Sequence, residues 1–301
     1  MMKMLIAAAA LSLGLGAASA QEGEDVYVET IDLGDGLYML ATNRAGNVGV
    51  SAGEDGVFMI DTQMQTLAPA IDRAQRAVSG DRAVDLVLNT HLHGDHVLGN
   101  AGFADQGAVS MAHESVRPAL ENPATSQLTG ATPAPLSGAF LPTVSVSHGD
   151  AAVMNGETAR FHHTPAAHTG GDIFVVFEDA DVIHAGDLLF SGMFPYIDLD
   201  NGGTVEGMIA GLEAVAAAAG PDTRIIPGHG PLSTRADVEA SAQMLRETRQ
   251  VIAALVEAGR TYEEILAADP LADWHDAWNW RFITTERMIW THYRDLTGET
   301  P

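Results

Sequence analysis

His91-Leu92-His93-Gly94-Asp95-His96 places three imidazoles and a carboxylate within six residues, directly after the apolar run from Val84 to Leu88. At this composition, three His and one Asp at those offsets arise by chance in roughly one chain of this size in a thousand. A short apolar run bounded by turn residues reads as a buried strand. The cluster therefore falls on a strand-to-helix turn at the carboxyl edge of a sheet, where sites in open α/β sheets gather. In an extended turn His91 and His93 point the same way and can share one metal, while Asp95 and His96 face a neighbouring position. Imidazole nitrogen and carboxylate oxygen suit Zn²⁺ at about 2.0–2.2 Å, and a catalytic ion keeps one position open for water.

Four ligands do not complete two such sites, and the rest of the chain offers more, each after its own strand-like run. Thr164-Pro165-Ala166-Ala167-His168-Thr169 follows the run ending near His163, and Ala185-Gly186-Asp187 follows Val182 to His184. Pro227-Gly228-His229-Gly230 follows Arg224 to Ile226. Glycine and proline beside each candidate let the backbone approach a shared centre closely. Asp172 reads either as orienting His168 or as capping a turn. His113, His148, His162, His163, His184, His275 and His292 lack a comparable constellation and read as ordinary surface or core histidines.

Outward from these segments, Val48 to Val50 and Val57 to Ile60 flank Gly53-Glu54-Asp55-Gly56, a hairpin signal. Thr66 to Ser79 has helical spacing and stops at Gly80. Thr204 to Ala219 is a helix that Thr204 can cap and Gly220-Pro221 ends. Thr234, with Asp237 three residues on, opens a long helix ending at Gly259. The tail from Tyr262 to Leu296 reads as helical and carries Trp274, Trp278 and Trp280. Strands, helix and strand recur twice, which predicts two sheets packed face to face with helices outside. Asn122 to Pro142 is a long Pro/Gly/Ser/Thr-rich loop, a length usually kept for function. With Phe190 to Gly203, which carries Met193, Phe194 and Tyr196, it is the candidate for setting specificity.

Bulk properties narrow the chemistry. The chain has 301 residues with 46% hydrophobic content, enough for a sizeable core. It has no Cys, so thiolate ligands, Cys nucleophiles and disulfides play no part. Fifteen Lys+Arg stand against 40 Asp+Glu, a formal net charge of −25. A surface this acidic repels phosphate backbones and argues against a nuclease or any nucleic-acid partner. Lys3, the apolar stretch from Leu5 to Ala17 and Ala18-Ser19-Ala20 have the three-part build of a secretory signal peptide. The apolar stretch falls short of the roughly 20 residues a membrane span needs. The expectation is cleavage near Ala20, release to the periplasm or outside, and no lasting membrane association.

HLHGDH at 91–96, AAHTGGD at 166–172, AGDLLF at 185–190 and PGHG at 227–230 together resemble the ordered motif set of the metallo-β-lactamase superfamily. Phe58-Met59-Ile60-Asp61-Thr62 is similar to its first motif, in which an Asp at a strand end supports the metal loop. The resemblance runs from about Val48 to Gly230. It implies an α/β fold, the four-layer αβ/βα sandwich, over residues 21–301, with a helical C-terminal extension from about 234. Carried over residue by residue, it implies His91, His93 and His168 on one metal, Asp95, His96 and His229 on a second, and Asp187 bridging both. Two Zn²⁺ are the expected cofactors, with iron or manganese also suited to such ligands.

The implied activity is hydrolysis of a small-molecule substrate, in which a metal-bridging hydroxide attacks the carbonyl of a β-lactam, other amide, lactone or ester. Asp95 would be catalytic, orienting that nucleophile and accepting its proton. One lactamase subclass has Cys where this chain has Asp187, and clamps the substrate carboxylate with a Lys that is missing here, a task open to an Arg. Asp187 is similar instead to the bridging aspartate of glyoxalase II, which makes a general thioester or ester hydrolase the alternative. A mononuclear iron persulfide dioxygenase and a non-catalytic metal carrier complete the set.

Overall fold

A computed structural model describes residues 27–301; the leader-like segment 1–20 lies outside them. The chain opens with a meander, β1 (Val28–Gly34), β2 (Leu37–Thr42), β3 (Val48–Gly53) and β4 (Gly56–Ile60). Helix α1 (Ala68–Ser79) then crosses back to β5 (Leu86–Asn89). Two short helices, α2 (Gly94–Val97) and α3 (Asn100–Ala104), lead to β6 (Val109–His113), and α4 (Val116–Glu121) precedes β7 (Val144–Val146). These seven strands lie in sequence order in one sheet. Pairing is antiparallel from β1 to β4 and parallel from β4 to β7.

The second sheet comprises β8 (Ala151–Met154), β9 (Glu157–Thr164), β10 (Asp172–Phe177), β11 (Val182–Phe190) and, after α5 (Val205–Ala218), β12 (Arg224–His229). Only β11 and β12 pair in parallel. The chain closes with α6 (Arg235–Glu257), α7 (Tyr262–Ala268), α8 (Ala272–Trp278) and α9 (Thr285–Thr297). No helix among the described residues is long and apolar enough to cross a membrane.

The sandwich follows from which faces are apolar. Met39, Phe58, Ile60 and Leu88 of the first sheet pack on Phe161, Ile173, Val175, Val182 and Ile226 of the second. The opposite face of the first sheet buries Val50, Met59 and Val87 against Ile71 of α1. The opposite face of the second carries Ile183, Ala185 and Leu189, covered by Leu212 of α5, Leu245 of α6 and Ile289 of α9. Helix, sheet, sheet and helix make the four expected layers. The expected caps are present: Thr204 accepts from the Gly207 N–H, and Thr234 with Asp237 forms a capping box.

One boundary differs from its expectation. The run expected to end at His184 continues as β11 to Phe190, all nine residues buried. Its register against β12 shifts on either side of Gly186, which takes a left-handed φ of 53°. Glycine thus bulges the strand here instead of ending it, and Asp187 sits inside the strand, re-aimed by the bulge.

Candidate metal centre

The turn after β5 carries His91 and His93, and α2 carries Asp95 and His96; the β9–β10 turn brings His168, β11 brings Asp187, and the end of β12 brings His229. All seven converge at the carboxyl edges of the two sheets, in two groups whose donor atoms lie within 4.8 Å of one another. His91, His93, His168 and Asp187 form one; Asp95, His96 and His229 form the other.

In the first group His93 Nδ1 lies 3.1 Å from His91 Nε2 and 2.8 Å from His168 Nε2. Asp187 Oδ2 is 3.4 Å from His168 Nε2 and 3.7 Å from His91 Nε2. In the second, Asp95 Oδ2 is 3.3 Å from His229 Nε2 and 3.5 Å from His96 Nε2. Asp187 also reaches this group, with Oδ1 at 3.1 Å from His96 Nε2 and Oδ2 at 3.3 Å from His229 Nε2. It is the one carboxylate of the seven that touches both groups, the placement a bridging ligand requires.

The outer nitrogens fix the inner ones. His96 Nδ1–H donates to Asp61 Oδ2 at 2.8 Å, and His93 Nε2–H donates to Asp198 Oδ2 at 2.8 Å. His168 Nδ1–H donates to the Tyr196 carbonyl at 2.6 Å. Thr90 Oγ1 donates to Asp61 Oδ2 and so accepts from His91 Nδ1–H at 3.0 Å. Each ring therefore turns a lone pair towards the centre, the tautomer that metal ligation needs. Asp61 supports two of these rings from a left-handed φ of 65°, a strained backbone held by the Thr90 N–H and side-chain bonds around it.

His96 Nε2 and Asp187 Oδ1 are buried 3.1 Å apart yet form no aligned hydrogen bond, with each other or with any other group. A buried imidazole nitrogen and carboxylate oxygen left in this way fit a cation between them. The electrostatics agree. Burial works against ionising Asp187, but the imidazoles of His229, His96, His91 and His168 hold its carboxyl well below the usual range. Burial likewise opposes the charge on Asp95, which His96 and His229 overcome. Burial also disfavours a charged His229, yet Asp187 and Asp95 raise it to about 9, so the pocket draws positive charge to itself.

Asp172 resolves to the turn-capping alternative. It accepts from the Thr169 N–H and hydroxyl at 2.7 and 2.6 Å and does not meet the His168 ring. Burial raises its carboxyl to about 7. Of the remaining histidines, His113 stacks on His163 at 3.7 Å and His292 is buried against Thr248, whereas His184 is buried near enough to Asp61, His96 and Asp187 to feel their charge without joining either group. Asp198, the Tyr196 carbonyl and Thr90, beside His91, are contributions that no sequence motif marked. Asp198 and Tyr196 both lie in the Phe190 to Gly203 loop, whose sequence points to specificity through Met193, Phe194 and Tyr196.

A cavity of about 390 Å³ opens over the centre, with His93, Asp95, Asp187 and His229 on its floor and Phe190, Tyr196, Trp280 and Phe282 on its walls. Phe190 stacks on His229 with ring centroids 4.8 Å apart. Trp280 comes from the C-terminal tail, pinned by its indole N–H donating to the Phe194 carbonyl at 2.8 Å. Arg44, from the β2–β3 turn, adds a guanidinium to the lining. Of the expected loop aromatics Tyr196 lines this cavity, whereas Phe194 is wholly buried in the core.

A profile of the family described as the metallo-beta-lactamase superfamily matches residues 41–229. No curated protein matches the chain. Among solved structures, a metallo-beta-lactamase family protein from Thermus thermophilus is 21% identical, with a TM-score of 0.65 over 89% of this chain and 95% of that one. A metallo-beta-lactamase from Pontibacter korlensis is 14% identical, with a TM-score of 0.58 over 73% and 99%. The sec-alkylsulfatase Pisa1 from Pseudomonas sp. is 13% identical at a TM-score of 0.68; 90% of this chain aligns, spanning half of that longer protein.

Proposed function

We propose, since this chain belongs to the metallo-beta-lactamase superfamily, that it is a dinuclear zinc hydrolase acting on carbonyl substrates such as esters, thioesters, lactones and β-lactams. The observation that carries this reading is Asp187, set between two groups of inward-facing imidazoles, with one of its oxygens buried and unpartnered. A single-ion site would use the first group alone and leave Asp95, His96 and His229 without a task.

When bound, the ions would lower the pKa of water and polarise the carbonyl, which removes the need for a Ser or Cys nucleophile. His91, His93 and His168 would hold one ion, Asp95, His96 and His229 the other, and Asp187 both. Asp95, kept ionised by His96 and His229 and facing the open cavity, is placed to orient the attacking water and take its proton. Aromatic walls would exclude bulk water and seat the substrate, and Arg44 in the same lining would favour an acidic group on it. We also propose, from the leader-like residues 1–20, that the enzyme works in the periplasm or outside the cell.

The test is hydrolysis of nitrocefin, a p-nitrophenyl acetate and a thioester by the zinc-loaded protein. At least one should turn over and stop on chelation, and Asp95→Ala should lower kcat/KM by about 10²–10⁴-fold. Turnover indifferent to metal and to Asp95 would end the hydrolase reading. Turnover of the esters but not of nitrocefin would leave the general hydrolase and remove the lactamase.

A further inference from the structure

His93 and Gly94, which line the aromatic cavity, also border a second cavity of about 340 Å³. Its walls are almost wholly aliphatic: Leu92, Val97 and Leu98 from the metal-bearing turn, Leu120 from α4, and Pro123 and Leu136 from the long 122–142 loop. Beyond His93, no titratable side chain lines it. The roof is held in place. The Leu136 N–H donates to the Leu120 carbonyl at 2.9 Å. The Gln127 N–H donates to Asp200 Oδ2 at 2.7 Å, and Asp200 is in turn gripped by both terminal nitrogens of Arg294.

A cavity of this size and lining is in the range of small-molecule sites, where apolar walls bind and a few polar groups orient. Here the recess opens directly beside the candidate centre, because the same two residues, His93 and Gly94, border both cavities. An otherwise strongly acidic protein has thus kept an aliphatic recess against its reaction centre.

We propose that this recess is a subsite for an unbranched hydrocarbon arm of the substrate, so that the enzyme prefers esters or thioesters carrying an aliphatic chain. This rests on the hydrolase reading above. In the reaction water adds to the carbonyl carbon, the C–O or C–S bond breaks, and the proton passes to the departing alcohol or thiol. The products are an aliphatic acid with a small alcohol or thiol, or a small acid with an aliphatic alcohol or thiol. The chain contributes binding, and its reach across His93–Gly94 sets the carbonyl over the centre.

Two ester series separate the sources of the arm: p-nitrophenyl esters from acetyl to decanoyl, and acetates of ethanol to decanol. In one series kcat/KM should rise about two- to fourfold per added methylene and then level off as the recess fills. Ala134→Trp, an exposed position on the roof, should flatten that rise, and Leu136→Ala should move the plateau to longer chains. A flat response in both series, or an unchanged slope in Ala134→Trp, overturns the proposal. If no ester, thioester or β-lactam turns over at all, the hydrolase reading fails, and calorimetry on the metal-free protein still decides the subsite. N-methyloctanamide should then bind more tightly than N-methylbutanamide, and Ala134→Trp should remove the difference; equal binding of the two by the unsubstituted protein overturns the subsite.

Discussion

At the scale of single residues, the centre depends on what holds its ligands as much as on the ligands. His93 turns Nδ1 inward because Asp198 accepts the proton on Nε2; burial would raise the Asp198 carboxyl, but the bond to His93 and that from Asn201 outweigh it and lower it to about 2. Asp198→Ala should weaken metal binding about 10- to 100-fold while far-UV circular dichroism stays unchanged, as a competition titration against a chromophoric chelator would measure. A Cβ at Gly228 would lie 2.0 Å from Asp187 Oδ1 and 2.7 Å from the Gly186 carbonyl carbon. Backbone cannot yield there, so Gly228→Ala should displace the Asp187 carboxylate and weaken metal binding in the same titration. The seven candidate ligand positions were readable because each stands in a short motif beside a strand. Asp198 was not, because it meets His93 across 105 residues of chain, from a loop without periodicity.

Elements show the same division. Helices α5 and α6 announce themselves through Thr204 and through Thr234 with Asp237, since caps are local chemistry. Strand β11 misleads because glycine reads as a strand breaker, and only the pairing with β12 reveals a bulge. The tail helices were legible, but not that Trp280 and Phe282 return to wall the cavity, which depends on the Phe194 carbonyl far away. Packing of α9 on α6 carries a pH signature. His292 is completely buried, its Nε2–H donating to Thr248 Oγ1 at 2.9 Å. Burial, aided by Arg249, lowers its pKa to about 3. An unfolded chain takes up that proton near the ordinary 6.5, so between about 6.5 and 3 the unfolded state binds more protons and stability falls as pH falls. Urea denaturation across that window should show His292→Gln with a slope shallower by up to about 1.4 kcal/mol per pH unit. An unaltered slope would mean His292 is protonated in the folded protein.

For the whole molecule, the two-sheet architecture was legible from the repeated strand–helix–strand order, and it decides where chemistry can occur. Both sheets bring their carboxyl edges to one end, and the donors of all four segments meet there. A formal net charge of −25 works against compactness through self-repulsion. Salt should screen it, so Tm should rise between low and molar sodium chloride. Two cations at Asp187 would offset part of that charge and stabilise the folded state by mass action.

Native mass spectrometry of the zinc-saturated protein, beside Asp187→Ala, goes most directly to the claim that these seven side chains form one two-ion centre. The expected result is two zinc ions per chain in the unsubstituted protein and fewer than two in the variant. One ion or none at saturation, or two retained without Asp187, would contradict it.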